Sequence, residues 1–235
     1  MSLVEISGLN KNYGKSPVLR DMTISMEQGK IVGLLGPNGC GKTTLIKILA
    51  GLISDYSGEV RIGGCEPGVE TKGLVSYLPE KTYLPSWMKP AEAFSYFADF
   101  YPDFDKKKAS DMLAAFRISE KQQVKSMSKG MQEKLQITLV MSRKAKVYLL
   151  DEPMGGVDPA TRSLIMDATL RQYQEDSLMI FATHLISDVE NLFDQVVFLD
   201  YGSIRLYEEV DQIRAKYGKS VDALFREVFA CSAGF

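Results

Sequence analysis

Residues 36–43 read Gly-Pro-Asn-Gly-Cys-Gly-Lys-Thr, after the apolar run 31–35 and before the helix-like run 45–51. Strand, glycine-rich loop and helix in that order demand a buried strand and a helix that returns over a sheet. Gly36, Gly39 and Gly41 let the backbone curl around an anion with its N–H groups inward, while Pro37, Asn38 and Cys40 fill the positions between them. The positive end of the following helix faces the same centre. Lys42 adds a fixed charge suited to β and γ phosphates, Thr43 a hydroxyl suited to Mg²⁺, and Thr44 a contact towards the α-phosphate. The pattern predicts a site for a nucleoside triphosphate. Cys40 is read as a small filler, although the helix dipole and Lys42 would favour a thiolate there.

With 235 residues, 45% of them apolar, the chain can build one sizeable core, or a core with one inserted subdomain. The formal net charge is −2, and the only tight basic cluster, Lys106-Lys107-Lys108, reads as a solvated helix face, so no footprint for nucleic acid is expected. No apolar run approaches the ~18 residues that span a bilayer, and nothing resembles a signal peptide. Cys40, Cys65 and Cys231 are odd in number and dispersed, which argues against a disulfide framework or a zinc site and suits a reducing compartment.

Alternating apolar and polar residues over the first thirty positions predict strands of a small antiparallel layer. Strands are expected at 58–62 and 74–78, separated by the Gly63-Gly64 and Pro67-Gly68 turns. The character then changes. Eight of the chain's 23 aromatics lie between Tyr83 and Phe104, with Phe94, Phe97 and Tyr101 at helical spacing, and the segment 84–128 is strand-poor. It is read as a helical subdomain inserted into a core made of 1–83 and 129–235. Beyond it, helices (130–141, 161–174, 185–192) alternate with strands (147–150, 178–182, 196–199, 204–206), which implies an α/β fold with a mostly parallel sheet and a ligand at the strands' carboxyl ends. A tail helix is expected at 221–229, with Ser220 as its N-cap.

Val147-Tyr148-Leu149-Leu150-Asp151-Glu152 is an apolar strand that delivers two carboxylates at its tip. Asp151 is suited to hold Mg²⁺, mainly through water, and Glu152 to orient and polarise a water attacking the γ-phosphate. A carboxylate of ordinary pKa near ~4.3 is a weak base at neutral pH. Positioning and electrostatics are therefore expected to outweigh outright proton abstraction.

Together these segments resemble the ATP-binding cassette (ABC) ATPases. Residues 36–43 resemble their Walker A motif, 147–152 Walker B with its catalytic glutamate, and Met127-Ser128-Lys129-Gly130-Met131 the family signature. Gly155-Gly156-Val157-Asp158 resembles the D-loop, His184 the switch histidine, and Tyr13 the adenine-stacking aromatic. The resemblance implies a P-loop NTPase fold of ABC type and Mg²⁺-dependent ATP hydrolysis. It gives Glu152, His184 and Lys42 catalytic roles. Ser128, Lys129, Gly130 and Asp158 would contact ATP held by a second subunit, either another copy or a paralogous ATPase. A separate membrane permease would complete the transporter and hold the chain peripherally at the inner face of the cell membrane.

Two departures stand out. The signature has Lys129 and Met131 where the family usually has Gly and Gln. A lysine in a first helical turn opposes the macrodipole by up to about 1 kcal/mol, so Lys129 is either solvated or adds positive potential to the composite site. Tyr77-Leu78-Pro79-Glu80 carries Glu80 where the family usually has glutamine; a carboxylate there still suits Mg²⁺ or its water, and the YLPE form resembles exporters with separate permeases. Import, and a soluble or regulatory cassette protein without transport, are the competing expectations. Tyr83 and Trp87 are the candidate permease contacts.

Overall fold

The computed structural model describes residues 2–155 and 157–230. Gly156 and Cys231 fall outside them. Strands β1 (Ser2–Tyr13) and β2 (Ser16–Glu27) form a long hairpin, turning at Gly14, whose φ of 59° suits a residue without a Cβ. β3 (Lys30–Leu35) leads into the glycine loop and α1 (Lys42–Leu49). The next strand, β4 (Ser57–Ile62), returns to β1, so the antiparallel layer has the order β2-β1-β4. A short helix α2 (Val69–Leu74), not expected from the sequence, precedes β5 (Val75–Leu78).

Helices α3 (Pro90–Phe100) and α4 (Lys106–Ala115) follow, with a 3-10 turn at Val124–Ser126, and α5 (Lys129–Met141) leads back to β6 (Val147–Asp151). Phe94 and Phe97 are buried here with Phe104, Leu113 and Val124, but so are Leu135 and Leu139 of α5. The core of the aromatic segment thus draws on residues beyond 128. Tyr83, Trp87, Tyr96 and Phe100 remain exposed.

Next come α6 (Pro159–Gln172), β7 (Leu178–Thr183), a short helix α7 (Ile186–Val189), β8 (Gln195–Asp200) and β9 (Ser203–Glu209). Helices α8 (Val210–Tyr217), also not anticipated, and α9 (Val221–Ala230) end the described chain. The Ser220 hydroxyl accepts from the Ala223 N–H, as its expected capping role requires. The large sheet has the order β5-β6-β7-β3-β8-β9 and is parallel except for β9. β6 and β7 are buried along their whole length because both sheet faces are covered. One apolar cluster, with Leu34, Leu45, Ile46 and Leu149, fills the space between the antiparallel layer, α1 and the sheet. A second, with Leu35, Tyr148, Phe181 and Phe198, lies on the opposite face.

Arg143 fixes the helical segment to this sheet. Its side chain is buried, bonds Asp103 through Nε and Nη2, donates to the carbonyls of Val75 (2.5 Å) and Gly73 (2.8 Å), and stacks 3.8 Å from the Tyr101 ring centroid. A guanidinium is suited to this because its donors fan out in one plane. Removing it leaves the Val75 and Gly73 carbonyls without their donor and Asp103, a quarter exposed, with only the Lys144 N–H, so Arg143→Ala is expected to lower stability by about 2–4 kcal/mol in urea denaturation. A loss below about 1 kcal/mol would show that the cluster does not hold the two parts together.

Candidate nucleotide site

In the sheet order, β7 lies between β6 and β3, with Leu35 opposite Thr183 and Asp151 opposite Ala182. The carboxyl ends of the three strands therefore bring the glycine loop, Asp151-Glu152 and His184 to one edge. A cleft of about 1150 Å³ opens there, lined by Tyr13, Asn38, Gly39, Lys42, Thr43, Thr44, Glu80, Lys129, Glu152 and His184, among others. Ser128, Asp158, the exposed Pro37 and the more deeply set Gly36, Cys40 and Asp151 do not line it.

The loop is tightly built. A Cβ on Gly36 would stand 2.3 Å from the Leu199 carbonyl oxygen and 2.6 Å from Cys40 Sγ, so only glycine fits. Gly41 caps α1 with φ 110°, a conformation that L side chains rarely adopt. Cys40 is buried beneath the loop, and burial pushes its thiol up despite Lys42 nearby. The filler reading accords with this environment and the thiolate does not. Lys42 Nζ donates to the carbonyls of Gly36 (2.7 Å) and Pro37 (3.2 Å), which holds its charge at the centre of the loop.

The Thr43 hydroxyl donates to Asp151 Oδ1 at 3.1 Å. Asp151 Oδ2 is buried and has no partner, and burial, reinforced by Glu152 and Glu80, raises the carboxyl to about 6. A hydroxyl and a half-satisfied carboxylate, both hard oxygen donors, fit a hexacoordinate cation such as Mg²⁺. Glu80 is exposed and lines the same cleft.

Glu152 follows the strand with φ 49°, a left-handed conformation that costs a non-glycine residue roughly 1 kcal/mol or more. Its amide donates to the Ala182 carbonyl at 2.9 Å and its own carbonyl accepts from Gly155 N–H at 3.1 Å, so the turn is held at both ends. Its side chain is only 13% exposed and its Oε2 lies 2.9 Å from His184 Nδ1. With Glu152 ionised, Nδ1–H donates, and Nε2 is left as the free ring nitrogen. Ser128 caps α5 by accepting from Met131 N–H, and Asp158 caps α6 by accepting from Thr161 N–H, which lowers its carboxyl below the usual range.

Lys129 was an expected site residue, but the rest of the wall it begins was missed: Gln132, Glu133 and Gln136 follow it at helical spacing along α5, and all four line the cleft. That i, i+3, i+4, i+7 pattern was the available signal. Lys129 Nζ lies 4.0 Å from Glu133 Oε1 within the chain's own cleft. Glu133 Oε2 and Gln136 Oε1 are buried without partners, and burial raises Glu133 to about 7 against the pull of Lys129 and Arg162. Glu80 and Glu152 are the other acidic residues of this wall's surroundings.

A glutamate whose pKa is higher folded than unfolded keeps its proton in the native state while the unfolded chain loses it. Its contribution is complete below about 4.5 and is lost as pH rises through about 7. Glu133→Gln is therefore expected to stabilise the free protein at pH 8 by about 1–2 kcal/mol, after allowance for solvent screening, with little effect at pH 4.5. Parallel urea denaturation of both proteins at the two pH values checks this.

The family model for ABC transporters matches residues 19–155, more than half of the chain. The chain belongs to the ABC transporter family. An uncharacterized ABC transporter ATP-binding protein of Bacillus subtilis, YdbJ, is 33% identical over 86% of the chain and 68% of its own length. LnrL, a linearmycin resistance ATP-binding protein of the same organism, is 29% identical over the same shares, 86% and 68%. SsuB, an aliphatic sulfonates import ATP-binding protein of Bacillus licheniformis, is 30% identical over 83% of the chain and 78% of its own length. A solved ATP-binding subunit of an ABC transporter superposes with a TM-score of 0.87 at 28% identity, covering 97% of this chain and 99% of that one. The fold is that of the ABC ATPase domains, as the motifs led us to expect. Among the described residues, no helix is long and apolar enough to cross a membrane.

Proposed function

We propose that this ABC ATPase hydrolyses ATP with Mg²⁺ and drives a separate membrane permease by ATP-dependent pairing of two cassettes. The observation that carries the reading is the convergence of Lys42, Thr43 bonded to Asp151, and the Glu152–His184 pair at 2.9 Å on one cleft. Tyr13, 51% exposed at the cleft, stacks the adenine on its ring. The amides of 36–44 and Lys42 hold the phosphates. Thr43, Asp151 mainly through water, and Glu80 directly or through water would hold Mg²⁺, whose charge would offset that of the triphosphate. Glu152 orients the attacking water, and His184 holds the carboxylate in line through Nδ1–H; as an imidazolium it also donates Nε2–H to the γ-phosphate. Ser128, Lys129, Gly130 and Asp158 meet the ATP of the opposing cassette.

The permease docks at the groove by Glu80, where Tyr83 and Trp87 are exposed. We favour export of a drug, peptide or lipid-like substrate, on the strength of Glu80 in Tyr77-Leu78-Pro79-Glu80 and the likeness to a resistance protein. Import is the second reading, supported by the likeness to SsuB. Mg²⁺-dependent ATP turnover by the purified chain tests the enzymatic part. Purification from membranes tests the transporter part: a copurifying permease is expected, an accompanying external binding protein would favour import, and association with ribosomes or DNA alone would overturn transport.

A further inference from the structure

We infer that Lys11 is a positioning residue for nucleotide binding: anchored by Asp55, it holds its ammonium over one face of the Tyr13 ring and leaves the other face for the base. The inference rests on the reading of Tyr13 as the base platform. The inward positions that precede it on β1 are Val4, Ile6 and Leu9, all apolar, yet Lys11 is 1% exposed. An apolar residue would fill that space without desolvating a charge, so a lysine there calls for a role specific to the ammonium.

Two of its contacts are accounted for by Asp55 on the loop after α1, through the backbone carbonyl at 2.8 Å and the carboxylate Oδ2 at 2.5 Å. The ion pair holds the Asp55 carboxyl below its usual range. An ammonium has three donors, and the Tyr13 ring centroid lies 4.6 Å from Nζ, within cation–π range. The Tyr13 backbone pairs with Ser16 at the hairpin end, which fixes its Cα but not the tilt of its ring. The lysine supplies that constraint. A cation on one side also draws ring electron density towards itself, which lowers the electrostatic repulsion between the opposite face and the electron-rich face of a stacked base. Because the anchor, Asp55, follows the helix that carries Lys42 and Thr43, base platform and phosphate loop are tied to the same element.

Isothermal titration of the full chain with ATP and with inorganic tripolyphosphate, which lacks a base, separates this role from general support of the fold. Lys11→Met is expected to weaken ATP binding about 3- to 10-fold and leave tripolyphosphate unchanged, while Lys11→Arg restores ATP binding. Asp55→Ala, a change at an 83% exposed side chain, is expected to reproduce part of the loss even if Lys11→Met fails to fold. In a Tyr13→Ala background, the Lys11 and Asp55 substitutions should have no further effect on ATP. If Tyr13→Ala weakens ATP binding but the Lys11 and Asp55 variants do not, or they weaken tripolyphosphate equally, or their effect persists without the ring, the inference is overturned. If Tyr13→Ala itself leaves ATP binding unchanged, the platform reading fails first.

Discussion

Glu152→Gln is expected to lower the ATP turnover number by at least about 100-fold while leaving ATP affinity within a few-fold of wild type. The amide keeps the shape of the side chain and can still meet His184 Nδ1, which is 2.9 Å from Oε2 in the native protein. It loses the negative charge that, in the proposed mechanism, orients and polarises the attacking water. The left-handed backbone at Glu152, φ 49°, supports the same assignment, since strain of that kind persists where the surroundings over-determine a position. Single-turnover and steady-state assays with labelled ATP measure both quantities. A variant retaining more than a tenth of wild-type turnover would remove Glu152 from the chemical step.

Lys42→Ala is expected to act on binding instead. The ammonium, buried within the loop and bonded to the Gly36 and Pro37 carbonyls, is the cleft's most deeply placed positive charge. One charge-assisted bond to phosphate is worth about 1.5–3 kcal/mol, so losing its equivalent should raise the dissociation constant for Mg-ATP by about 10- to 150-fold. Circular dichroism should show an intact fold, because the loop's tight packing rests on Gly36 and Gly41 rather than on the lysine. Affinity within threefold of wild type would mean that the phosphates lie elsewhere.

Much of this site was legible in the sequence because its parts are local. A glycine loop between strand and helix, or two carboxylates at the end of an apolar strand, carries its geometry within about ten residues. The strand order could not be read the same way. Nothing in 58–62 says that it joins β1 instead of the large sheet; that follows from the long β1–β2 hairpin offering a free edge. Helix α2, six residues long, is too short to show a period. Helix α8 is longer, but only Val210 and Ile213 of its eight residues are buried, so its apolar stripe is faint.

Charged residues were the systematic omission. Lys11, Arg143 and Glu133 each look like surface residues by type, yet each is nearly enclosed, and each gains its meaning from a partner far away in sequence or from a cleft that forms only on folding. Lys129 shows the opposite case. Its position in the altered signature was noticed, but its neighbour Glu133, one turn on, gives that lysine a partner within its own chain.

The proposed pairing of two cassettes, each completing the other's site, draws on Ser128 and Asp158, which lie outside the chain's own cleft. Sedimentation velocity of the Glu152→Gln protein, with and without Mg-ATP, tests it most directly, with wild-type turnover measured alongside. The account predicts a monomer without nucleotide, a dimer at saturating Mg-ATP, and turnover by the wild type, because ligand that bridges an interface stabilises it. A protein that binds Mg-ATP fully and still sediments as a monomer, beside a wild type that turns ATP over, would contradict the composite site.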